Sequence, residues 1–353
     1  MMHFPAIPRV RRPWAVGLGL ILALAPVARG GQERVSCGLA PDGGRVAFVA
    51  ADGNLYLLDL ATRVVTSCGA SDEVKSSPRF APDGQTIVYS VKRPGARGNG
   101  LVIRAADGTV RPLTSGDEGS DITPSFSADG QRVVFARAYR NRPYSMGGMT
   151  WDQFEICTVN RDGCDLRRLT EQRYYQAGHP AFVTADRIVF AAYEGTESNA
   201  TTSLFWIPAD GLAPPAPFDR FQPGPGTKAP GAWATDPALA VDGKRLAFIS
   251  DRVQPFQYDV MIADADGTNA RGLEVTGRTR LAERPMLLPG DKGVLYLADL
   301  RAGGFGGPRY SLWSVPLAGG TPTMIADSKR FADPLGWTPP PEGPPAAHPP
   351  GDR

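Results

Sequence analysis

Ser77-Pro78-Arg79-Phe80-Ala81-Pro82-Asp83-Gly84-Gln85-Thr86-Ile87-Val88-Tyr89-Ser90 reads as two short strands joined by a tight turn. Proline presets a negative φ, aspartate caps the turn through its own side chain, and glycine accepts a positive φ. The pattern recurs around Gly38-Leu39-Ala40-Pro41-Asp42-Gly43 and Pro124-Ser125-Phe126-Ser127-Ala128-Asp129-Gly130. Looser copies begin at Pro180, Pro237 and Pro285 and lead to Ile188-Val189-Phe190, Leu246-Ala247-Phe248 and Val294-Leu295-Tyr296. Each copy continues into a second hairpin, as in Phe154-Glu155-Ile156 with Asp162-Gly163, so each repeat supplies four strands.

Phe80, Phe126 and Phe182 recur at intervals of 46 and 56 residues. That is near the roughly 40–50 residues of a four-stranded propeller blade, with added loop length. Thr114 and Thr170 each precede the next repeat's proline by ten residues, as does Cys68. A constant spacing there fixes the crossover from one blade's outer strand to the next blade's inner strand. The expected fold is all-β, a six-bladed propeller of four-stranded antiparallel blades. The high counts of glycine (41) and proline (34) agree with many turns and few long helices.

The strand-turn SPRFAPDGQTIVYS and the hairpin end NRDGCDLRRLT resemble TolB-type, WD40-like propeller repeats, over about residues 34–337. TolB itself carries an α/β domain ahead of its propeller, and the resemblance here is to the propeller alone. What it implies is specific for fold, because propellers carry unrelated activities on one scaffold.

Residues 1–30 are expected to be a signal peptide. Arg9, Arg11 and Arg12 form its basic region, and Trp14–Ala28 is an apolar stretch too short to span a bilayer comfortably. Ala28 and Gly30 suit cleavage before Gly31. Pro13-Trp14 after the arginine pair fits a twin-arginine signal poorly, and Arg34-Val35-Ser36 before Cys37 does not suit a lipid anchor. The mature domain is thus expected at 31–337, periplasmic or secreted, a monomer with no stable membrane insertion. Residues 338–353 read as a Pro-rich disordered tail. Asp333–Trp337 resembles the start of a seventh inner strand without a partner.

Export makes the four cysteines candidates for disulfides. Cys157 and Cys164 flank Asn160-Arg161-Asp162-Gly163 and are expected to bond across that hairpin. Cys37 and Cys68 fall on the first and last strands of one blade, about 14 Å apart by strand spacing, and their pairing stays open.

A net charge of +2 without a long basic run excludes a nucleic-acid footprint. Function usually sits on the propeller face where the inner strands begin. Arg137–Gln153 is the longest loop there, with Tyr139, Arg140, Arg142, Tyr144 and Trp151; Tyr174 and Tyr175 join it, with Phe256, Tyr258, Phe305 and Tyr310 from other blades. Such a rim suits a protein or peptide partner. The competing reading is that these aromatics only pack their own loops.

A second candidate is the channel mouth, just before the inner strands: Asp121, His179, Asp236, Glu283 and Arg284, with Ser77, Thr123 and Thr235. Carboxylates there have the chemistry to bind a cation or to act as acid and base; the plainer reading is that they solvate the channel. His179 is the only histidine between the signal peptide and the tail, so no metal site or cofactor is expected. Tyr144-Ser145-Met146-Gly147 has the outline of a nucleophile elbow, but Pro143 replaces the first glycine and no strand-turn-helix surrounds it. The favoured function is a binding scaffold of the cell envelope. The alternative is a propeller hydrolase or lyase working through carboxylates at the mouth.

Overall fold

The first, second, third and fifth repeats close their first hairpin in the same way. In the second, Gly84 at φ 67° donates its N–H to Ala81 at 2.9 Å, and Asp83 Oδ1 accepts from Gln85 N and Thr86 N at 2.9 and 2.8 Å. The turn is thereby satisfied locally and the second strand departs antiparallel to the first. A computed structural model of the chain describes residues 35–143, 148–194, 201–218, 233–254, 257–275, 281–299 and 310–335. They form six four-stranded antiparallel sheets, each contiguous in sequence, with strands in simple meander order.

The inner strands are Ser36–Leu39, Val74–Phe80, Ser120–Phe126, Gln176–Thr184, Ala234–Leu239 and Leu281–Leu288. Each packs on the next, and the sixth returns to the first, so the ring closes. Alternation along the second strands puts Phe48, Phe135, Phe190 and Phe248 between the blades, all fully buried. Polar side chains finish the crossovers. Thr114 Oγ1 accepts Leu101 N–H at 2.8 Å and Thr170 Oγ1 accepts Ile156 N–H at 2.9 Å, which explains the constant spacing of these threonines. On the turn face, arginines staple neighbouring blades: Arg45 donates to Gly84 O at 2.6 Å, Arg132 to Ala185 O at 2.5 Å, and Arg245 pairs with Asp291 at 2.9 Å.

The first and sixth blades share no strand. Beyond their packing contact, closure is completed by a five-residue helix, Ser328–Ala332, capped by the Asp327 carboxylate. Phe331 inserts against Phe48, rings 5.2 Å apart at 87°, and its carbonyl accepts Ala51 N–H at 3.0 Å. Arg330 reaches back to the carbonyl of Arg63. Asp333–Leu335, whose sequence resembles the start of a seventh inner strand, form no strand. The chain enters a helix before Asp333, whose N–H closes that helix on Lys329 O at 2.8 Å, and Gly336–Trp337 lie outside the described residues. So do the expected signal peptide and the tail. No described helix is long and apolar enough to cross a membrane.

The Cys157–Cys164 bridge is also corrected. Cys157 pairs across the hairpin with Arg168, while the carbonyl of Cys164 closes the turn on Asn160 N–H at 2.9 Å. Cys157 is buried in the inter-blade core and Cys164 is exposed; Cys37 and Cys68 are likewise unbridged. Burial pushes the Cys37 and Cys157 thiols up to about 12. Alkylation of the native protein is therefore expected to modify Cys164 quickly and Cys37 and Cys157 only after unfolding, read by peptide mass mapping. Rapid labelling of Cys157 in the native state would contradict the register.

Candidate functional site

Halfway along the inner strands of blades two to six, one residue adopts the left-handed region: Ser77, Thr123, His179, Asp236 and Arg284, with φ of 50–53°. Each precedes a proline, and a register shift interrupts strand pairing at each. Non-glycine residues avoid this conformation at a cost of order 1–3 kcal/mol each. Five copies at one level make it a built feature. The bulge turns backbone N–H groups along the ring instead of into the sheet. Ser77 N donates to Ser36 Oγ at 2.9 Å, His179 N to Thr123 Oγ1 at 2.9 Å, and Arg284 N to Asp236 Oδ2 at 3.0 Å. One side chain per blade thus lines a waist inside the channel. The sequence named these residues but placed them ahead of the strands, at the mouth; they lie within the strands because strand pairing resumes N-terminal to each bulge.

The waist is charged and closely coupled. His179 Nε2 lies 3.0 Å from Asp236 Oδ1, with both side chains nearly inaccessible. Burial pushes the imidazole down to about 3, against the pull of Asp236 and with help from Arg284 and Arg79, so His179 is neutral. Asp236 stays ionised: burial opposes this, but the charges of Arg284 and Arg79 and the backbone N–H of Arg284 hold its carboxyl below the ordinary range. Arg79 was not singled out from the sequence. It reaches across to the carbonyl of Cys37, and burial together with Arg284 lowers it to about 10. Glu283 is half-buried beside Arg284.

Asp121 does not face the channel. It is fully buried between blades two and three, where Arg137 Nε and Nη2 donate to it at 2.6 and 2.9 Å and Thr114 Oγ1 donates at 2.5 Å. Its chemistry is consumed by blade docking. Among the described residues, no three His, Cys, Asp or Glu side chains converge to hold a metal ion.

The opposite end of the ring carries the expected rim in altered form. Blade three's second and third strands, Arg132–Pro143 and Met149–Asn160, are twelve residues each and pair out to Pro143 and Met149. Arg140 and Arg142 both bind the buried Asp152 carboxylate, Arg140 at 2.7 and 2.8 Å. They stiffen the hairpin rather than standing free. Tyr174 is core, packed on Phe190 and Phe205. Tyr139 lies under Arg168 with its hydroxyl 3.8 Å from Cys157 Sγ, and Trp151 packs half-buried on the core. Tyr144, Phe256 and Phe305 fall outside the described residues, and Tyr310 is buried.

What the sequence did not show is a continuous aromatic row across three blades. Arg142 sits over Tyr175 at 5.6 Å; Tyr175 meets Tyr193 at 5.3 Å, Tyr193 meets Trp233 at 6.2 Å, and Trp233 meets Tyr258 at 6.1 Å. Tyr175, Trp233 and Tyr258 are each half-buried, while Tyr193 between them is buried.

Residues 25–199, which include the first three blades, match the family described as the TolB beta propeller domain. That stretch is TolB-type propeller, and the chain as a whole is a TolB-like β-propeller. Solved structures agree on fold. A TolB from Acinetobacter baumannii matches with a TM-score of 0.58 at 19% identity, over 82% of this chain and 64% of that one. A protein described as a TolB from Agrobacterium tumefaciens matches with a TM-score of 0.51 at 16% identity, over 68% and 80%. An oligogalacturonate lyase in complex with manganese matches with a TM-score of 0.56 at 17% identity, over 85% and 83%. At these identities the likeness fixes the propeller, which TolB proteins share with enzymes, and leaves function to the site. Of the Acinetobacter protein, the TolB-like propeller described here spans just under two thirds.

Proposed function

We propose that this TolB-like propeller is exported with loss of its first thirty residues and acts in the cell envelope as a scaffold that binds a protein or peptide. The observation that carries the reading is the row Arg142–Tyr175–Tyr193–Trp233–Tyr258 on the face where the inner strands begin. Half-buried aromatic rings offer a large apolar area at little entropic cost, since their neighbours already fix them, and such side chains dominate binding hot spots. The tall blade-three hairpin borders the row and would wall a docked segment on one side. The enzyme reading draws less support from the carboxylates. Asp121 is neutralised by Arg137 and Asp236 is engaged by His179 and by the backbone of Arg284.

The test is capture of partners from envelope extract by the mature chain, compared with a Tyr175→Ala/Trp233→Ala variant. Each anchor is worth about 2 kcal/mol or more when seated in a partner, roughly thirtyfold in affinity. The double variant is expected to lose capture while keeping its thermal transition within a few degrees. Unchanged capture would reject the row as the docking surface.

A further inference from the structure

The channel waist holds polar atoms that the protein leaves unpaired. His179 Nδ1 and Arg284 Nε and Nη1 are buried with no hydrogen-bond partner among the described residues. The His179 side chain is only 3% exposed, and its Nε2 is committed to Asp236 Oδ1. A neutral imidazole that donates through Nε2 leaves Nδ1 as a bare acceptor. Arg284 belongs to blade six, yet its charge acts on Cys37, Arg79, His179 and Asp236, on blades one, two, four and five. A guanidinium within reach of so many blades lies close to the channel axis. Arg79 and Arg284 thus both act on the Asp236 carboxylate, which is already engaged by His179 and by the Arg284 backbone. Buried donors without acceptors cost on the order of 1–3 kcal/mol each, more when charged, so the arrangement suits a bound anion.

A second observation says what kind of anion. A cavity of about 290 Å³ runs from the Asp-Gly turn face to the waist, with Arg79 and His179 among its lining. Nearer the turns its wall is apolar, formed in part by Pro41, Pro82, Leu239 and Met286. This apolar sleeve ends at Arg79 and His179, with the Arg284 guanidinium close enough to act on both. An apolar chain ending in a carboxylate with an adjacent N–H matches all three elements. A sugar acid would set its hydroxyls against the apolar sleeve.

We propose that the channel waist is a binding site for the C-terminal carboxylate of a polypeptide entering from the Asp-Gly turn face. Arg79 and Arg284 take the carboxylate, and His179 Nδ1 accepts the N–H of the terminal residue. The site opens on the face opposite the aromatic row, so neither reading depends on the other.

Calorimetric titration of the mature chain with N-acetyl-Ala-Leu-Leu as the free acid and as its C-terminal amide tests the assignment without any mutation. The acid is expected to bind at least about tenfold more tightly than the amide. Arg284→Met should reduce the acid to the level of the amide, Arg284→Lys should retain part of the difference, and Tyr175→Ala/Trp233→Ala should retain all of it. Equal affinity for acid and amide, binding of neither, or binding of galacturonate in preference to the peptide acid would each overturn the proposal.

Discussion

Phe331→Ala is expected to destabilise the protein by about 3–5 kcal/mol, the usual range for removing a buried phenylalanine. The ring is 2% exposed and lies edge-on to Phe48, itself fully buried in the first blade. More than a cavity is involved. The first and sixth blades share no strand, so the helix that presents Phe331 acts with inner-strand packing, the core the two blades share and the Arg63 bond to Ile325 O in holding the ring closed. Loss of the anchor should loosen blade one ahead of the rest. Urea unfolding gives the magnitude, and native-state hydrogen exchange gives the location, with the Val46–Val49 amides expected to lose protection before those of Val133–Ala136. A loss under 1 kcal/mol, or one spread evenly over all blades, would show that the other contacts close the ring unaided.

Asp121→Ala is expected to be comparably damaging, by about 3–5 kcal/mol, because it strands the Arg137 guanidinium inside the protein. Arg137 is only 4% exposed and its two bonds to Asp121 are its buried ones; the third, to Glu118, reaches a carboxylate whose side chain is 72% exposed. Glu118→Ala is the matched control and should cost no more than about 1 kcal/mol, as surface pairs do. If the two variants unfold at the same urea concentration, the buried pair is not what docks blade two on blade three. The comparison also separates structure from function: any loss of partner capture in Asp121→Ala should track its unfolding.

The repeat was legible because turn chemistry is local. Pro82-Asp83-Gly84 dictates its own conformation, and six copies of the strand-turn-strand repeat, looser in the later blades, leave only a ring to build. The capping aspartate at 327 was equally local, yet the helix it starts was overlooked beside the strand-like pattern at Asp333. The Cys157 error is one of register. Residues flanking a turn sequence need not face each other when the turn takes in Cys164 itself and the strand pairs with Arg168. The waist was named residue by residue but misplaced in depth, since a residue before proline reads as the end of a loop unless a bulge is foreseen. The aromatic row was out of reach. Tyr193 and Trp233 are far apart in the chain and meet only because blade four's second strand ends where blade five's first begins.

The contiguity of each sheet has a consequence for how the molecule is made. No strand waits for a partner from the far end of the chain, so each blade can pair as soon as its own residues have emerged. Local pairings of this kind should form quickly, and the slow step is the single long-range event that brings Phe331 and the sixth inner strand to blade one. Until then the newborn protein is an open arc whose first blade exposes the surface Phe331 will cover. The same layout makes the cut between first and last residues arbitrary. A permuted chain that begins at another blade boundary and joins the present ends should reach the same ring.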